Sequence, residues 1–155
     1  ALNRISESKL GSKFFLERKY KTWITPHIKE FSRLFPHIKS ETNVGLASYV
    51  AKEFNISVLL KGANSIVADN KKAWQLFATD SQTARAGLGD LLSGFVAGSS
   101  AIDLTFCRNI TTDLFAKYVL LHSFAASNCK KGSNASAIGD ELSKLMRNRK
   151  MRQIS

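Results

Sequence analysis

Short runs of β-branched and aromatic residues alternate with segments of helical spacing along this 155-residue chain, and this alternation constrains the fold more than any other feature. The segment TWITP, residues 22–26, predicts a short strand, and Thr25 can cap a helix that has Pro26 at its first position. Apolar residues between 44 and 54 follow helical spacing and lead into ISVLLKG, a second predicted strand that ends at Gly62. Strands that alternate with helices predict an α/β layered structure with a largely parallel sheet.

The remaining segments extend this pattern. SIVAD and AWQLFA, joined by the polar NKK, predict a hairpin of two strands. One or two helices with a polar face are predicted within residues 4–21, and further helices at 89–102, 112–130 and about 135–147. With 44% hydrophobic residues, a chain of this length can bury one substantial core, which predicts a single domain.

Composition narrows the classes of partner. Lys and Arg number 23 against 12 acidic residues, and the resulting charge of +11 favours anionic partners such as nucleotides, nucleic acid or acidic membrane surfaces. No basic and aromatic motif typical of nucleic-acid recognition accompanies the charge. Cys107 and Cys129 are too few for a disulfide scaffold or a zinc cluster, so both are expected to be reduced packing residues. The longest nearly apolar stretch, Leu91 to Ile102, is shorter than a membrane span, and a soluble cytoplasmic protein is expected.

Three segments stand where ligands usually bind in α/β sheets, at the carboxyl ends of strands: TPHIKEF, LLKGANS and TARAGLGDLLSG. In the third, Gly87 and Gly89 allow close approach of the backbone to a ligand. The helix that follows presents unpaired N–H groups and the positive end of its dipole, which suit phosphate oxygens. Asp90 at this helix start is either a catalytic base or a helix cap, and the spacing alone leaves both open.

Three titratable residues stand alone in the sequence and are interpreted one by one. Lys61, at the end of a predicted buried strand, needs an anionic partner or a route to water. His27, beside Pro26 at a predicted helix start, either hydrogen-bonds a substrate or is structural. His122 falls in an apolar helix and is expected to be a core residue.

The stretches TPHIKEFSRLF, LLKGANSIVAD and ARAGLGDLLSGFVAG occur in this order along the chain. Together they resemble three motifs of the NAD(P)H-hydrate dehydratases, a branch of the ribokinase-like kinases: TPHPGE(F/M)xRL, a lysine-glycine strand end, and GTGDVL(A/S)G. The resemblance implies a three-layer α/β/α ribokinase-like (Rossmann-like) fold. Residues 1–155 look like the carboxyl-terminal portion of such a domain, following a strand that ends in two aspartates.

The resemblance also implies an activity, the repair of NAD(P)H whose reduced ring has been hydrated. ADP or ATP would phosphorylate the hydroxyl of the (S)-hydrate, and loss of phosphate would restore NAD(P)H. Matching positions imply that Asp90 is the base facing that hydroxyl and that His27 contacts the hydrate. The resemblance places the anion hole at Gly87, Leu88 and Gly89. It assigns nucleotide contacts to Lys61, Gly62, Ala63, Asn64, Ser65 and Gly89.

Cofactors and partners follow from the same resemblance. Mg²⁺ is expected with the nucleotide, although no cluster of metal ligands is visible in the sequence. A homo-oligomer is expected, a fused N-terminal epimerase domain is allowed, and neither a membrane nor nucleic acid is an expected partner. Three other functions stay open: a ribokinase-like small-molecule kinase, a non-catalytic nucleotide-binding protein, and a basic nucleic-acid-binding module.

The chain departs from the family pattern beside each candidate site. Ile28 and Lys29 stand where the family usually has Pro and Gly, which predicts a reshaped loop after His27. Leu88 stands where a Thr is usual, so a hydroxyl near the phosphates is absent.

Overall fold

The protein is described by a computed structural model that covers residues 1–77, 87–106 and 109–152, with side chains as far as residue 147. Contacts divide the chain into two compact units, Ala1–Phe77 and Ala78–Ser155, and each is described by itself. The single domain expected from chain length stays a prediction.

The first unit is a small mixed sheet with its helices. In chain order it contains α1 (Leu2–Ser6), a 3-10 turn (Gly11–Phe15), β1 (Trp23–Ile24), α2 (Ile28–Leu34), α3 (Asn43–Glu53), β2 (Ser57–Leu60), β3 (Ser65–Ala68) and β4 (Ala73–Leu76). The strand order is β1-β2-β3-β4. β1 pairs with β2 in parallel, whereas β2 with β3 and β3 with β4 are antiparallel.

The expectation of a largely parallel sheet is therefore wrong for the described strands. The cause is the length of the connections. α2 and α3 lie between β1 and β2, which gives the chain room to cross over and pair in parallel. Only residues 61–64 and 69–72 separate the later strands, and connections this short can join only antiparallel neighbours.

The core of this unit lies between α3 and the sheet. All residues of β2 and β3 are buried, and α3 packs on these strands through Ala47, Val50 and Ala51. The Thr42 side chain caps α3 by accepting the N–H of Gly45 at 3.0 Å. The aromatic rings of Phe15, Phe31, Phe35 and Phe54 extend the same core. The β2 end that leads to Lys61 is therefore held by packing against this core.

The predicted hairpin is confirmed as β3 and β4. Ser65 pairs with Leu76 and Ala68 with Ala73. The Asp69 carboxylate accepts the N–H groups of Lys71 and Lys72 at 2.7 and 2.9 Å, which closes the polar turn. The final Ala78 of the predicted second strand lies outside the described residues.

The second unit contains three helices: α4 (Leu88–Thr105), α5 (Thr112–Asn128) and α6 (Ala135–Arg152). All three were predicted, and α6 continues past its predicted end at residue 147. Side-chain oxygens cap two of them, since Thr111 accepts the N–H of Leu114 and Asn134 that of Ala137. Cys129 is a free, half-buried thiol beside the helix cluster, and Cys107 lies outside the described residues.

Across the parts of the chain that are described, none of the helices combines the length and the apolar character required to cross a bilayer.

Candidate active site

His27 and Lys61 lie side by side at the carboxyl ends of β1 and β2. They form a parallel bridge beyond the paired strands, and the N–H of Lys61 donates to the carbonyl of Pro26 at 2.8 Å. Two of the three segments singled out in the sequence thus meet at one edge of the sheet. This is the edge at which ligands usually bind in α/β folds.

His27 is also the N-cap of α2. Its Nδ1 accepts the backbone N–H of Glu30 at 3.2 Å, and its own N–H donates to Oε2 of Glu30 at 2.9 Å. This reciprocal pair is a capping box. The predicted helix start, with Thr25 as cap and Pro26 at the first position, is therefore wrong. The helix begins at Ile28 because His27 and Glu30 satisfy the backbone groups there.

Ile28 and Lys29 are consequently the first two helical residues and not part of a loop. Both residue types are compatible with a helix, and Ile28 is exposed. The prediction that they reshape a loop after His27 is wrong, because α2 starts directly after the histidine.

Residues 61–65 form a short turn between β2 and β3. Lys61 is half-buried and makes no ion pair with any residue that the structure describes. The hydroxyl of Ser65 is buried and donates to the Gly62 carbonyl at 3.3 Å, which holds the turn. Gly62, Ala63 and Asn64 are exposed. The turn therefore offers accessible backbone and one cationic side chain to an anionic ligand.

The N-terminus of α4 follows Gly87, a glycine in the left-handed backbone conformation. Gly87 has φ +84° and ψ −13°, and its carbonyl accepts the N–H of Leu91 at 3.0 Å as the first helical bond. The backbone N–H groups of Leu88, Gly89 and Asp90 precede any possible intrahelical acceptor. Among the residues that the structure describes, no side chain caps this end. These donors and the helix dipole favour an anion here.

Leu88 anchors this end of the helix. Its side chain is buried in a cluster with Ala126 of α5 and Ile138 of α6. A methyl group on Gly87 would lie 3.7 Å from Cβ of Ala135, so α6 also begins close to this turn. Leu88 brings no hydroxyl to this turn, but its burial fixes the backbone donors beside it.

Asp90 is exposed in the first turn of α4. The alternative in which Asp90 caps the helix is wrong, because the N-cap position is Gly87. The Asp90 carboxylate makes no hydrogen bond or ion pair with the described residues of the chain. An exposed carboxylate next to open backbone donors can accept a proton from a ligand hydroxyl held there.

The predicted site residues thus form two groups, one within each unit. His27 and Lys61–Ser65 are brought together in the first unit, and Gly87–Asp90 in the second. Sequence reasoning missed Glu30 as part of the first group. Its signal was the spacing of a capping box, an acceptor side chain followed three residues later by Glu.

A cavity of about 810 Å³ lies among α4, α5 and α6. Phe95, Asp103 and Tyr118 line it, and the Tyr118 hydroxyl donates to the Asp103 carboxylate at its wall. The cavity runs along α4 from Leu91 to Asp103 and includes none of the residues Gly87–Asp90.

His122 is buried in α5, as the sequence predicted. Burial without a compensating charge lowers the pKa of His122 below its ordinary value of 6.5. Its Nε2 has no hydrogen-bond partner among the described residues. The folded protein therefore favours the neutral imidazole more than the unfolded chain does.

This burial predicts a pH dependence of stability. Above pH 6.5 the ring is neutral in both states, whereas below it the unfolded chain takes up a proton that the folded chain resists. The free energy of unfolding should thus fall as the pH drops below 6.5, by at most about 1.4 kcal/mol per unit, until the lowered pKa is reached. Urea titrations at pH 7.5 and 5.5 should show a smaller loss in His122→Leu than in the wild type. His37→Leu, at an exposed histidine, should keep the wild-type loss, and an equal loss in all three proteins would contradict the assignment.

Solved structures define the class of fold. The chain superposes on a ribokinase-like superfamily protein from Enterococcus faecalis with a TM-score of 0.73, covering 90% of this chain and 49% of that one at 21% identity. It superposes on an ADP/ATP-dependent NAD(P)H-hydrate dehydratase from Bacillus subtilis with a TM-score of 0.62, covering 86% and 53% at 19% identity. The fold is therefore ribokinase-like, as predicted.

Sequence comparison narrows the class to a family. The family model described as NAD(P)H-hydrate dehydratase matches residues 1–148, and the chain belongs to that family. It is 37% identical over 94 residues to a bifunctional NAD(P)H-hydrate repair enzyme of Corynebacterium glutamicum, covering 55% of this chain and 16% of that protein. It is 38% identical over 78 residues to an ADP-dependent (S)-NAD(P)H-hydrate dehydratase of Nitrosopumilus maritimus, covering 48% and 27%. The chain thus spans less than a third of these curated relatives and about half of the solved chains.

Proposed function

We propose that the protein containing this chain dehydrates (S)-NAD(P)H hydrate to NAD(P)H, with ADP or ATP as phosphoryl donor. The observation that supports it best is the start of α4, where Asp90 is exposed beside backbone donors that no side chain in the described part of the chain caps. The names of the relatives and the family membership support the same reaction.

In the proposed reaction Asp90 takes the proton of the hydrate hydroxyl. The hydroxyl oxygen attacks the terminal phosphorus of the nucleotide at the same time. A new O–P bond forms, and the bond to the leaving AMP or ADP breaks. The N–H groups of Leu88 and Gly89 stabilise the charge on the transferred phosphoryl group. The bond between the ring carbon and the phosphate oxygen then breaks, and phosphate leaves with the electron pair of that bond. The adjacent ring carbon loses a proton, which forms the C=C double bond. The products are NAD(P)H, phosphate, the shortened nucleotide and one proton.

Within the first unit, nucleotide binding is assigned to the turn at residues 61–65. The Lys61 ammonium has no carboxylate partner among the described residues and can pair with phosphate oxygens. Exposed backbone at Gly62, Ala63 and Asn64 can contact the rest of the nucleotide. The described residues contain no group of three or more His, Cys, Asp or Glu side chains that could hold a metal ion. Mg²⁺ would therefore be bound through the nucleotide phosphates.

Lys61 provides a direct test of the nucleotide assignment. Lys61→Met keeps the length of the side chain but removes the charge, and ADP affinity should fall about tenfold, equivalent to about 1.4 kcal/mol. Titration calorimetry on the full protein measures this change. Lys52→Met, at an exposed lysine of α3, should leave affinity unchanged. Equal affinities in both variants would remove Lys61 from the nucleotide site.

The activity itself is tested by incubating the full protein with NAD(P)H hydrate and ADP or ATP. The absorbance of the reduced nicotinamide should recover, with one phosphate released per NAD(P)H formed. A stable phosphorylated product without recovery would indicate a small-molecule kinase instead. Nucleotide binding without turnover would indicate a non-catalytic nucleotide-binding protein.

The proposal also covers the longer protein to which this chain belongs. Its coverage of about half of the solved chains supports the assignment of residues 1–155 to the carboxyl-terminal portion of a longer dehydratase domain. Bifunctional relatives support a fused epimerase domain in the full protein. We also propose that the full protein is a homo-oligomer in the cytoplasm. Sedimentation of the full protein measures its oligomeric state.

A further inference from the structure

The capping box at the start of α2 determines which nitrogen of His27 bears the proton. Nδ1 accepts the backbone N–H of Glu30 at 3.2 Å, so it must supply a lone pair. In a neutral imidazole only one nitrogen is protonated, and here that nitrogen is Nε2. His27 therefore presents an N–H donor at the far edge of its ring.

This donor is not used within the described structure. Nε2 lies 3.6 Å from Oε2 of Glu30, which is beyond hydrogen-bond distance. That oxygen already accepts the backbone N–H of His27 at 2.9 Å. The His27 side chain is 50% exposed, whereas that of Glu30 is only 20% exposed. A ligand can therefore reach the Nε2–H group of His27, whereas the Glu30 carboxylate is mostly shielded.

We infer that Glu30 is a positioning residue that holds His27 as a hydrogen-bond donor, and that the acceptor is an oxygen atom of the hydrate substrate. The inference rests on the proposed function, in which His27 contacts the hydrate. The position of His27 beside Lys61 at the strand ends places this donor at the ligand edge of the sheet. Because its free nitrogen is protonated, His27 donates and does not serve as a second base.

Glu30 acts through the backbone of residue 27. Its carboxylate fixes the N–H of His27, and its own N–H fixes Nδ1, so both the main chain and the ring are held by one residue. Without the carboxylate, the start of α2 loses one of two reciprocal bonds and the ring is held less firmly. A glutamine at position 30 can still accept the His27 N–H, because either residue completes a capping box.

The substrate readout compares three variants with the wild type in the full protein. Glu30→Ala should raise KM for the hydrate about tenfold, with kcat and KM for ADP changed less than twofold. Glu30→Gln should restore KM to within about twofold of the wild type. Glu17→Ala, at an exposed glutamate outside the capping box, is the matched control and should change nothing. Equal KM values for Glu30→Ala and Glu17→Ala, or a loss confined to kcat, would overturn the inference.

His27→Asn separates capping from donation. Asparagine is a favoured N-cap, so the thermal midpoint should stay within about 2 °C of the wild type, while the shorter side chain withdraws the Nε2–H donor. KM for the hydrate should rise at least as much as in Glu30→Ala. A wild-type KM in this variant would overturn the donor role even if Glu30→Ala failed to fold.

The tautomer is measured without any activity. Long-range ¹H–¹⁵N spectra of the ligand-free protein above neutral pH, assigned with His27→Asn, should show a protonated Nε2 and an unprotonated Nδ1. The opposite tautomer would overturn the inference. If the wild type does not convert the hydrate at all, the proposed function fails, whereas the spectra still decide how Glu30 holds the ring.

Discussion

Replacing Asp90 with asparagine should lower kcat for hydrate dehydration about a thousandfold and leave nucleotide affinity nearly unchanged. A positioned general base typically contributes a factor of 10² to 10⁴, and an amide cannot take the hydroxyl proton. Asp90 is exposed and without partners among the described residues, so the substitution should not disturb the fold. Recovery of reduced-nicotinamide absorbance and ADP titration measure the two quantities.

Asp113→Asn is the matched control for this prediction. Asp113 occupies the first turn of α5, as Asp90 does in α4, so the two substitutions remove a similar favourable interaction with a helix dipole. Only Asp90→Asn should abolish turnover. Full activity in Asp90→Asn would exclude this carboxylate as the base, and equal losses in both variants would point to helix stability instead.

Replacing Gly87 with alanine should lower kcat about a hundredfold. Gly87 has φ +84°, where a side chain costs about 1 to 2 kcal/mol. The nearest described atom would lie 3.7 Å from the added Cβ, which is an ordinary contact. The cost is thus backbone strain, which the chain relieves by rotating this turn. Rotation moves the N–H groups of Leu88 and Gly89 away from the phosphoryl position, and loss of one such donor costs 10² to 10³ in kcat.

Gly132→Ala introduces similar strain away from this site. Gly132 has φ +88°, and an added Cβ meets no described atom within 4 Å. Both variants should lose a similar free energy of unfolding in urea titrations, but only Gly87→Ala should lose activity. Unchanged kcat in Gly87→Ala would argue against an anion hole at this turn.

Much of the fold could be predicted because its signals are local. The periodicity of apolar residues placed α3, α4 and α5 close to their observed bounds, and a polar turn between β-branched runs predicted the hairpin. The site was predicted less completely. The glycines around Leu88 indicated an anion-binding helix start, but the spacing left Asp90 open between base and cap. The left-handed Gly87 at the N-cap removed the second alternative.

Two features were missed, the first because a local capping signal was overlooked and the second because it needs contacts between distant residues. Pro26 and Thr25 are both favourable at a helix start, yet the reciprocal bonds of His27 and Glu30 begin α2 later. The burial of Leu88 depends on side chains of α5 and α6, so its sequence position alone suggested only a lost hydroxyl.

The sequence by itself determined where most helices and strands form, the family to which the chain belongs and which residue types stand at the strand ends. These depend on spacing, turn chemistry and motif order within short segments. Tertiary structure alone decided the pairing of β1 with β2, the pairing of His27 with Lys61 and the anchoring of Leu88. Those features depend on which distant segments pack together, because hydrogen-bond pairing and burial join residues far apart in the chain.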